Sequence, residues 1–294
     1  FLILIKKIGF KSIKYDNSGV PNISIKNFNK TFTYLYRNIK WRAYLIIAKF
    51  FKIYPTHCIY SGEYYKSKYN SYKNKKNIMY LSGNTWDYSK ILSCKSIKLG
   101  HFSDSNKKAV LLDGAGPMFG SDDLIIGKKT YLTSEIWYPS LVSFLQKVEK
   151  ETDTTIEIAA HPKTSFEANP SCFGGRNVSY GKTLEMVRDS DFVITRQSTA
   201  ISYAIIFNKP VIFIYSDQLK KDKLAMAGVN KISEILGTMP INIDSYIENI
   251  SEYLKIKKSR YELYKKNYLT SQDLSRTNAQ ILLEDIMFIK TKKT

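Results

Sequence analysis

The sequence predicts an α/β fold in which a parallel sheet is covered by helices on both faces. From Lys108 onward, short apolar strands alternate with helical segments. The strands at Phe192–Thr195 and Val211–Tyr215 are apolar on both faces, as expected of strands that are buried on two sides. Buried strands that alternate with helices are typical of parallel sheets.

The composition is sufficient for a sizeable core. The 294 residues are 44% hydrophobic and 14% aromatic, which suits one large or two smaller domains. Lys and Arg number 45 against 26 Asp and Glu, and the net charge of +19 attracts nucleic acid, anionic lipid or phosphorylated substrates. The lysines are scattered along the chain and do not form one cluster. The codon bias of a low-GC genome is therefore an alternative explanation for part of this excess.

The cysteines and apolar runs indicate a reduced cytoplasmic protein. Cys58, Cys94 and Cys172 have no metal-binding spacing. The apolar stretch Ala43–Phe51 is too short to span a membrane. The chain begins at Phe1 rather than Met, and a truncated start is one interpretation of this.

The first half contains fewer clear patterns. Strand composition marks Phe1–Phe10, His57–Ser61 and Ile78–Ser82. The aromatic-rich stretch Phe32–Tyr54 predicts a long helix, interpreted first as a core helix, and Lys66–Lys76 predicts a basic loop.

The second half is regular. It predicts four strands, at Ala109–Leu112, Thr155–Ala160, Phe192–Thr195 and Val211–Tyr215. Between and after them it predicts five helices: Tyr138–Glu151 with a cap at Ser134, Thr183–Arg188, Thr199–Phe207, Ser245–Tyr268 and Ser271–Ile289.

Three polar signals follow predicted strands at their carboxyl ends, where parallel sheets bind ligands. Asp113, before Gly114, is a candidate general base, although turn aspartates are common. His161, whose backbone is restrained by Pro162, is a candidate proton or hydrogen-bond donor to a phosphate, or else a structural loop histidine.

The third signal is the run Arg196-Gln197-Ser198-Thr199, where a predicted strand leads into a predicted helix. Free N–H groups at a helix start, together with the two hydroxyls, would bind an anion. Plain N-capping is the alternative interpretation. Lys163, Arg176, Glu185 and Asp217 are weaker candidates that also suit an ordinary solvated surface.

Together, Asp113-Gly114, His161-Pro162 and Ser198-Thr199 resemble three motifs of bacterial glycosyltransferases that use CMP-activated acidic sugars, the sialyltransferases and Kdo transferases. The resemblance covers Lys108 to Gln218 and departs from the family at Leu112, where sialyltransferases often carry a second acidic residue. It implies a GT-B-like fold with two Rossmann-like lobes, an acceptor-side lobe at 1–133 and a nucleotide-sugar-binding lobe at 134–294.

The resemblance also implies roles for individual residues. His161 would assist the leaving phosphate, and Asp113 would deprotonate the acceptor, with Asp87 as the alternative carboxylate. Ser198 and Thr199 would hold the phosphate, and Glu185 would be placed to bind the nucleotide ribose. The full set expected to bind the nucleotide or its phosphate is Pro162, Lys163, Arg176, Glu185, Gln197, Ser198 and Thr199. Neither a metal ion nor a resident cofactor is expected.

The expected acceptor is a surface glycan such as lipopolysaccharide, O-antigen or capsule, with peripheral contact to the anionic inner leaflet and no nucleic-acid partner. Three alternatives stay open. They are a transferase with a UDP-sugar, GDP-sugar or CDP-alcohol donor, a basic nucleic-acid-binding protein, and a degenerate nucleotide-binding protein.

Overall fold

A computed structural model describes most of the chain. The described residues are 12–16, 19–21, 39, 42–43, 46, 50, 55–70, 78–94, 107–119, 131–166, 171–245, 248–271 and 275–291. None of the helices in these ranges is long and apolar enough to span a membrane.

The described elements alternate between strand and helix. The strands are β1 Ile13–Asp16, β2 His57–Ser61, β3 Met79–Gly83, β4 Lys108–Leu112, β5 Thr155–Ala159, β6 Val178–Ser179, β7 Phe192–Thr195, β8 Val211–Tyr215 and β9 Ile241–Asn242. The α-helices are α1 Gly62–Asn70, α2 Trp86–Ser93, α3 Ser134–Thr152, α4 Thr183–Asp189, α5 Ile201–Ile206, α6 Asp217–Lys220, α7 Lys223–Leu236, α8 Lys258–Tyr264 and α9 Asn278–Thr291. Ile250–Leu254 is a 3₁₀-helix and Lys265–Leu269 a π-helix.

The chain divides into two compact units, and the first is built on a parallel sheet in the order β1-β2-β3. Its last helix, α9, is fixed to the end of β3 by paired amide hydrogen bonds. The Asn84 N–H donates to Asn278 Oδ1 over 2.9 Å, and Asn278 Nδ2 donates to the Asn84 carbonyl over 2.9 Å. These bonds pair the main-chain N–H and carbonyl of Asn84, which lies just beyond the last residue of β3.

The second unit contains a six-stranded parallel sheet in the order β6-β5-β4-β7-β8-β9. Its central strands are almost wholly buried, as apolar runs on both faces require. The core includes side chains with no exposed surface from α3 and three strands, among them Leu145, Val148, Ile158, Ile194, Ile212 and Ile214.

The strand order contains a switch point between β4 and β7. The chain runs outward from β4 through β5 to β6, then returns to β7 and runs the other way through β8 to β9. In sheets of this kind the loops after the two switch strands diverge, leaving a crevice at their carboxyl ends.

Most predicted strands are confirmed, with ends within one residue for β2, β3, β4, β5, β7 and β8. One loop prediction and two helix predictions need correction here. Lys66–Lys76 begins inside α1 rather than in a loop, and Ser134 is the first residue of α3, where the cap is Thr133. The single helix predicted at Ser245–Tyr268 is divided by an extended segment at 255–257.

Two further predictions fall largely outside the described residues. The strand at 1–10 lies there entirely, and so does most of the helix predicted at 32–54. Of the described residues in that helix, Ile39, Ile46 and Phe50 are helical but 58%, 69% and 80% exposed. At these positions the core-helix interpretation is wrong.

The expected lobe boundary at 133/134 also differs from the structure. Strand β4, with Asp113 at its end, pairs with β5 and β7 and therefore belongs to the second unit. From Leu263 the chain belongs to the first unit again, because α9 and the π-helix pack on its sheet and on α1. Asp113, His161 and Ser198 are thus carried by one unit rather than two.

The left-handed glycines of the first unit provide a test of its packing. Gly62 (φ +73°) abuts the backbone of the π-helix, so an added Cβ would lie 2.6 Å from Tyr268 N. We expect Gly62→Ala to lower the free energy of unfolding of this unit by about 3 kcal/mol or more, through backbone strain and overpacking together.

Gly19→Ala is the matched control, because its φ is +71° but only side-chain atoms of Thr85 and Leu269 lie near the new methyl. Gly19→Ala should lower the free energy of unfolding by about 1–2 kcal/mol, through backbone strain alone. Urea unfolding followed by tryptophan fluorescence measures both variants. Equal losses would refute the close approach of the two backbones.

Candidate functional site

Three loops meet at the carboxyl edge of the second unit's sheet. Asp113 follows β4, His161 lies two residues after β5, and Arg196 follows β7. These are three neighbouring strands, and β4 and β7 flank the switch point. The sequence prediction that Asp113 and His161 lie close together is therefore correct in geometry.

The Asp113 carboxylate bridges two of these loops. Oδ2 accepts a hydrogen bond from the His161 N–H over 3.3 Å, and Thr164 Oγ1 lies at the same distance from it. Oδ1 accepts from the Ala115 N–H, also over 3.3 Å. Burial raises the pKa of Asp113 above its ordinary value, and the His161 N–H bond and the Arg196 charge lower it by less.

The His161 ring is oriented by its own loop. The Lys163 N–H donates to Nδ1 over 3.2 Å, so Nδ1 is the acceptor nitrogen and the neutral ring carries its hydrogen on Nε2. The His161 carbonyl accepts from both the N–H and the hydroxyl of Thr164, over 3.0 and 2.8 Å. A histidine held in this way presents an Nε2–H donor.

Arg196 connects the third loop to the first. Its Nη2 donates to the Gly114 carbonyl over 2.9 Å, and its guanidinium lies 5.6 Å from the centre of the Trp137 ring. A Cβ on Gly114 or Gly116 would meet Nη2 at 2.9 or 3.2 Å. The glycines after Asp113 therefore make room for Arg196, a role that sequence reasoning missed because it depends on strand order.

The Ser198-Thr199 turn differs from its predicted form. The helix predicted from Thr199 begins at Ile201, is six residues long and has no side-chain cap. Ser198 Oγ instead accepts from the Ala200 N–H over 3.2 Å, closing a local turn. Ser198 is half-buried and Gln197 and Thr199 are exposed, so the hydroxyls lie at the edge of the sheet without a long helix behind them.

The remaining predicted site residues divide into two groups. Pro162 and Lys163 are exposed beside His161, and the Lys163 Nζ lies 5.5 Å from the centre of the Phe119 ring. Glu185 and Asp217 are exposed, on α4 and α6 respectively. Asp87, the alternative base, lies in the first turn of α2 in the other unit.

Arg176 does not belong to the site. Its guanidinium binds Glu149 with two hydrogen bonds, of 3.0 and 2.6 Å, and donates a third to the Phe173 carbonyl. Glu149 also accepts from the N–H of Ile156, near the amino end of β5, so this pair lies at the opposite edge of the sheet from His161. The prediction that Arg176 binds a phosphate is replaced by a structural role.

Tyr138 is a second residue that sequence reasoning missed. It lies on α3, is 5% exposed, and its buried hydroxyl has no hydrogen-bond partner among the described residues. Burial, reinforced by the nearby Asp113 charge, raises its pKa. Tyr138 also lines a cavity of about 380 Å³ with Cys172, Ser171 and Glu135. In the described ranges, no group of three His, Cys, Asp or Glu side chains is arranged to hold a metal ion.

The unpaired phenol gives a second prediction. Tyr138→Phe removes a buried hydroxyl that forms no hydrogen bond while retaining the edge-to-face contact with Phe173. We expect the variant to be more stable than wild type by about 1 kcal/mol, because the cost of desolvating the hydroxyl disappears.

Thermal and urea unfolding of the variant and wild type would check this. Tyr261→Phe is the contrasting control, because Tyr261 donates a 2.9 Å hydrogen bond to the Lys209 carbonyl, and its loss should destabilise. A Tyr138→Phe variant that is less stable than wild type would show that the hydroxyl is satisfied after all.

Comparisons with known proteins support the fold. No protein-family model matches the chain, and no curated protein sequence matches it. Among solved structures it is similar to the wall teichoic acid polymerase TagF soaked with CDPG, at a TM-score of 0.54 and 15% identity over 98% of this chain and 69% of that one. A second TagF structure matches with a TM-score of 0.53 and 16% identity, over 98% of this chain and 70% of that one.

A UDP-GlcNAc 2-epimerase from Methanocaldococcus jannaschii is more distant, with a TM-score of 0.46 and 12% identity over 98% of this chain and 72% of that one. At these identities a likeness to TagF establishes architecture alone. The chain has the α/β fold of the GT-B proteins, with two Rossmann-like lobes.

Proposed function

We propose that this protein is a GT-B transferase that moves a sugar from a nucleotide-activated donor to a surface glycan, and that the nucleotide released is CMP. The observation that carries the proposal is the meeting of the Asp113, His161 and Arg196 loops at the carboxyl ends of three adjacent strands. A crevice at this position is the usual ligand site of open α/β sheets.

The His161 ring supplies the chemistry that a departing phosphate needs. As CMP leaves a CMP-linked acidic sugar, the bond between the anomeric carbon and the phosphate oxygen breaks and negative charge develops on that oxygen. An Nε2–H donor that is already oriented by the Lys163 N–H stabilises this charge without reorganisation. Ser198, Thr199 and Gln197 are then the phosphate contacts on the neighbouring loop, with Lys163 beside the ring.

A second candidate donor is a CDP-linked alcohol, favoured by the likeness to TagF, whose structure was soaked with CDPG. In that reaction the bond between the two phosphates breaks and the alcohol phosphate is transferred. The leaving group is again CMP, so the same histidine would serve both reactions. A UDP- or GDP-sugar would instead release a nucleoside diphosphate.

Nucleotide binding tests the proposal directly. A ligand that binds only the native protein raises its melting temperature. We expect CMP to do so more than UMP, UDP or GDP, and calorimetry to show CMP binding weakened about 10- to 100-fold in His161→Ala, through loss of one hydrogen bond to a charged phosphate.

Lys231→Ala, on the exposed face of α7, is the control and should bind CMP like wild type. Turnover of a CMP-linked acidic sugar or of a CDP-alcohol then identifies the donor. Stabilisation by UDP or GDP alone would overturn the CMP assignment. DNA binding with a steep salt dependence, and no nucleotide binding, would favour the nucleic-acid alternative.

We also propose peripheral contact with an anionic membrane. Ile39, Ile46 and Phe50 are exposed and individually helical, and their spacing of seven and four residues is the spacing of one helical face. With a net charge of +19, an apolar helical face of this kind suits an anionic lipid surface.

Vesicle flotation at low salt measures this contact. We expect binding to anionic vesicles and none to neutral ones, with Phe50→Glu weakening it several-fold. Met239→Glu adds the same charge at a residue that is 71% exposed in the other unit, and should bind nearly as wild type does. Equal losses in both variants would assign the effect to net charge rather than to the helical face.

A further inference from the structure

We propose that Asp113 and Thr164 are positioning residues that hold His161 for the departing phosphate, and that Asp113 is not the base that deprotonates the acceptor. The first half of this inference rests on the proposed function, because it assigns His161 a substrate. The hydrogen bonds that define the arrangement are independent of it.

His161 is held on both sides of its backbone. Its N–H donates to Asp113 Oδ2 over 3.3 Å, and its carbonyl accepts from Thr164 Oγ1 over 2.8 Å. Thr164 Oγ1 also lies 3.3 Å from Asp113 Oδ2, which closes a three-residue ring of polar contacts. Thr164 is only 7% exposed, so water does not replace these bonds readily.

The ring is held as well as the backbone. The turn from His161 to Thr164 brings the Lys163 N–H to Nδ1 at 3.2 Å, and the bond from the Thr164 N–H to the His161 carbonyl, 3.0 Å long, closes that turn. Because Nδ1 is occupied as an acceptor, the neutral ring carries its hydrogen on Nε2. A loop that moved would free Nδ1 and allow the opposite tautomer.

The Asp113 carboxylate is poorly placed to serve as a base. A carboxylate offers about four lone-pair sites, and two here accept hydrogen bonds from the N–H groups of Ala115 and His161. Thr164 Oγ1, whose single hydrogen is donated to the His161 carbonyl, lies 3.3 Å from Oδ2 and occupies the space beside it. A base needs an accessible lone pair within reach of the acceptor hydroxyl. These partners hold the oxygens against the protein's own loops, which is the arrangement of a positioning residue.

The two roles predict different behaviour of conservative variants. Asn at 113 retains an acceptor oxygen for the His161 N–H but has no basic carboxylate. Ala removes both functions. At Thr164, Ser retains the hydroxyl and Val removes it at similar volume. Asp113→Asn against Asp113→Ala, and Thr164→Ser against Thr164→Val, are therefore matched pairs.

The first readout is the tautomer of His161, measured from ¹⁵N-labelled histidine by NMR at about pH 8, where histidine rings are generally neutral. The chain has three histidines, and His161→Ala assigns the signal. We expect the Nε2–H tautomer in wild type, Asp113→Asn and Thr164→Ser, and a mixture of tautomers in Asp113→Ala and Thr164→Val. This readout requires no substrate.

The second readout is CMP release from whichever donor is turned over. We expect Asp113→Asn and Thr164→Ser to keep kcat within about tenfold of wild type. In Asp113→Ala and Thr164→Val, kcat should fall about 100-fold or more with little change in KM, because His161 is displaced from the position at which it acts. The acidic limb of the pH–rate profile should be the same in Asp113→Asn as in wild type.

The outcomes separate the two hypotheses. A loss in Asp113→Asn as deep as in Asp113→Ala, together with loss of the acidic limb, would make Asp113 the base and overturn the inference. A wild-type tautomer in both Asp113→Ala and Thr164→Val would overturn it as well. If no nucleotide binds but the tautomers change as expected, the proposed function fails and the positioning of His161 stands.

Discussion

The order of strands in the six-stranded sheet is the constraint on which the site depends. Because all six strands are parallel, their carboxyl ends lie at one edge, and because β4 lies between β5 and β7, the loops after these three strands are neighbours. The chain leaves β4 and β7 in opposite directions, and open α/β sheets bind their ligands at such switch points. Asp113, His161 and Arg196 are brought together by strand pairing over a long sequence separation, since Ala109 pairs with Phe192.

At this edge of the sheet, side chains of one loop form hydrogen bonds with the backbone of the loop beside it. Asp113 accepts the His161 N–H, and Arg196 donates to the Gly114 carbonyl. The first bond satisfies a main-chain N–H just beyond the end of β5. The second is an additional bond, because the Gly114 carbonyl also accepts from the Gly116 N–H over 2.9 Å. The glycines after Asp113 follow from the second bond, since a side chain at either position would crowd the guanidinium. The geometry of the candidate site thus depends on hydrogen bonds that also hold its loops.

The strands could be predicted from the sequence where the pattern is local. β4, β7 and β8 are almost wholly apolar and four or five residues long, so composition and flanking turns identify them. β2 and β5 are of the same length and are marked by β-branched or apolar residues between polar ones. β6 and β9 have two residues each and exist only through their pairing. The helices α2 and α7 were not predicted. The first is eight residues long and largely polar, and the second carries Gly228 at its middle.

The sequence indicates which polar residues follow the buried strands, but it does not indicate which hydrogen bonds they form. Asp113 and His161 stand out because polar residues after buried strands are conspicuous. Whether the Asp113 carboxylate accepts hydrogen bonds depends on the loop that follows the neighbouring strand β5. No local sequence pattern contains that information. The same limit explains the lobe boundary, since only the pairing of β4 with β5 and β7 assigns it to the second unit. It also explains Arg176, whose partner Glu149 lies on another element.

The distribution of charge at this edge bears on which nucleotide fits. The Arg196 guanidinium is engaged with the Gly114 carbonyl and the Trp137 ring, and the Asp113 carboxylate adds negative charge nearby. Lys163 supplies one cation beside the His161 ring. A phosphate monoester such as departing CMP carries about −1.5 to −2 charges, and a nucleoside diphosphate carries more. We propose that an oriented Nε2–H with one lysine suits the smaller of these charges, in keeping with CMP as the proposed leaving group.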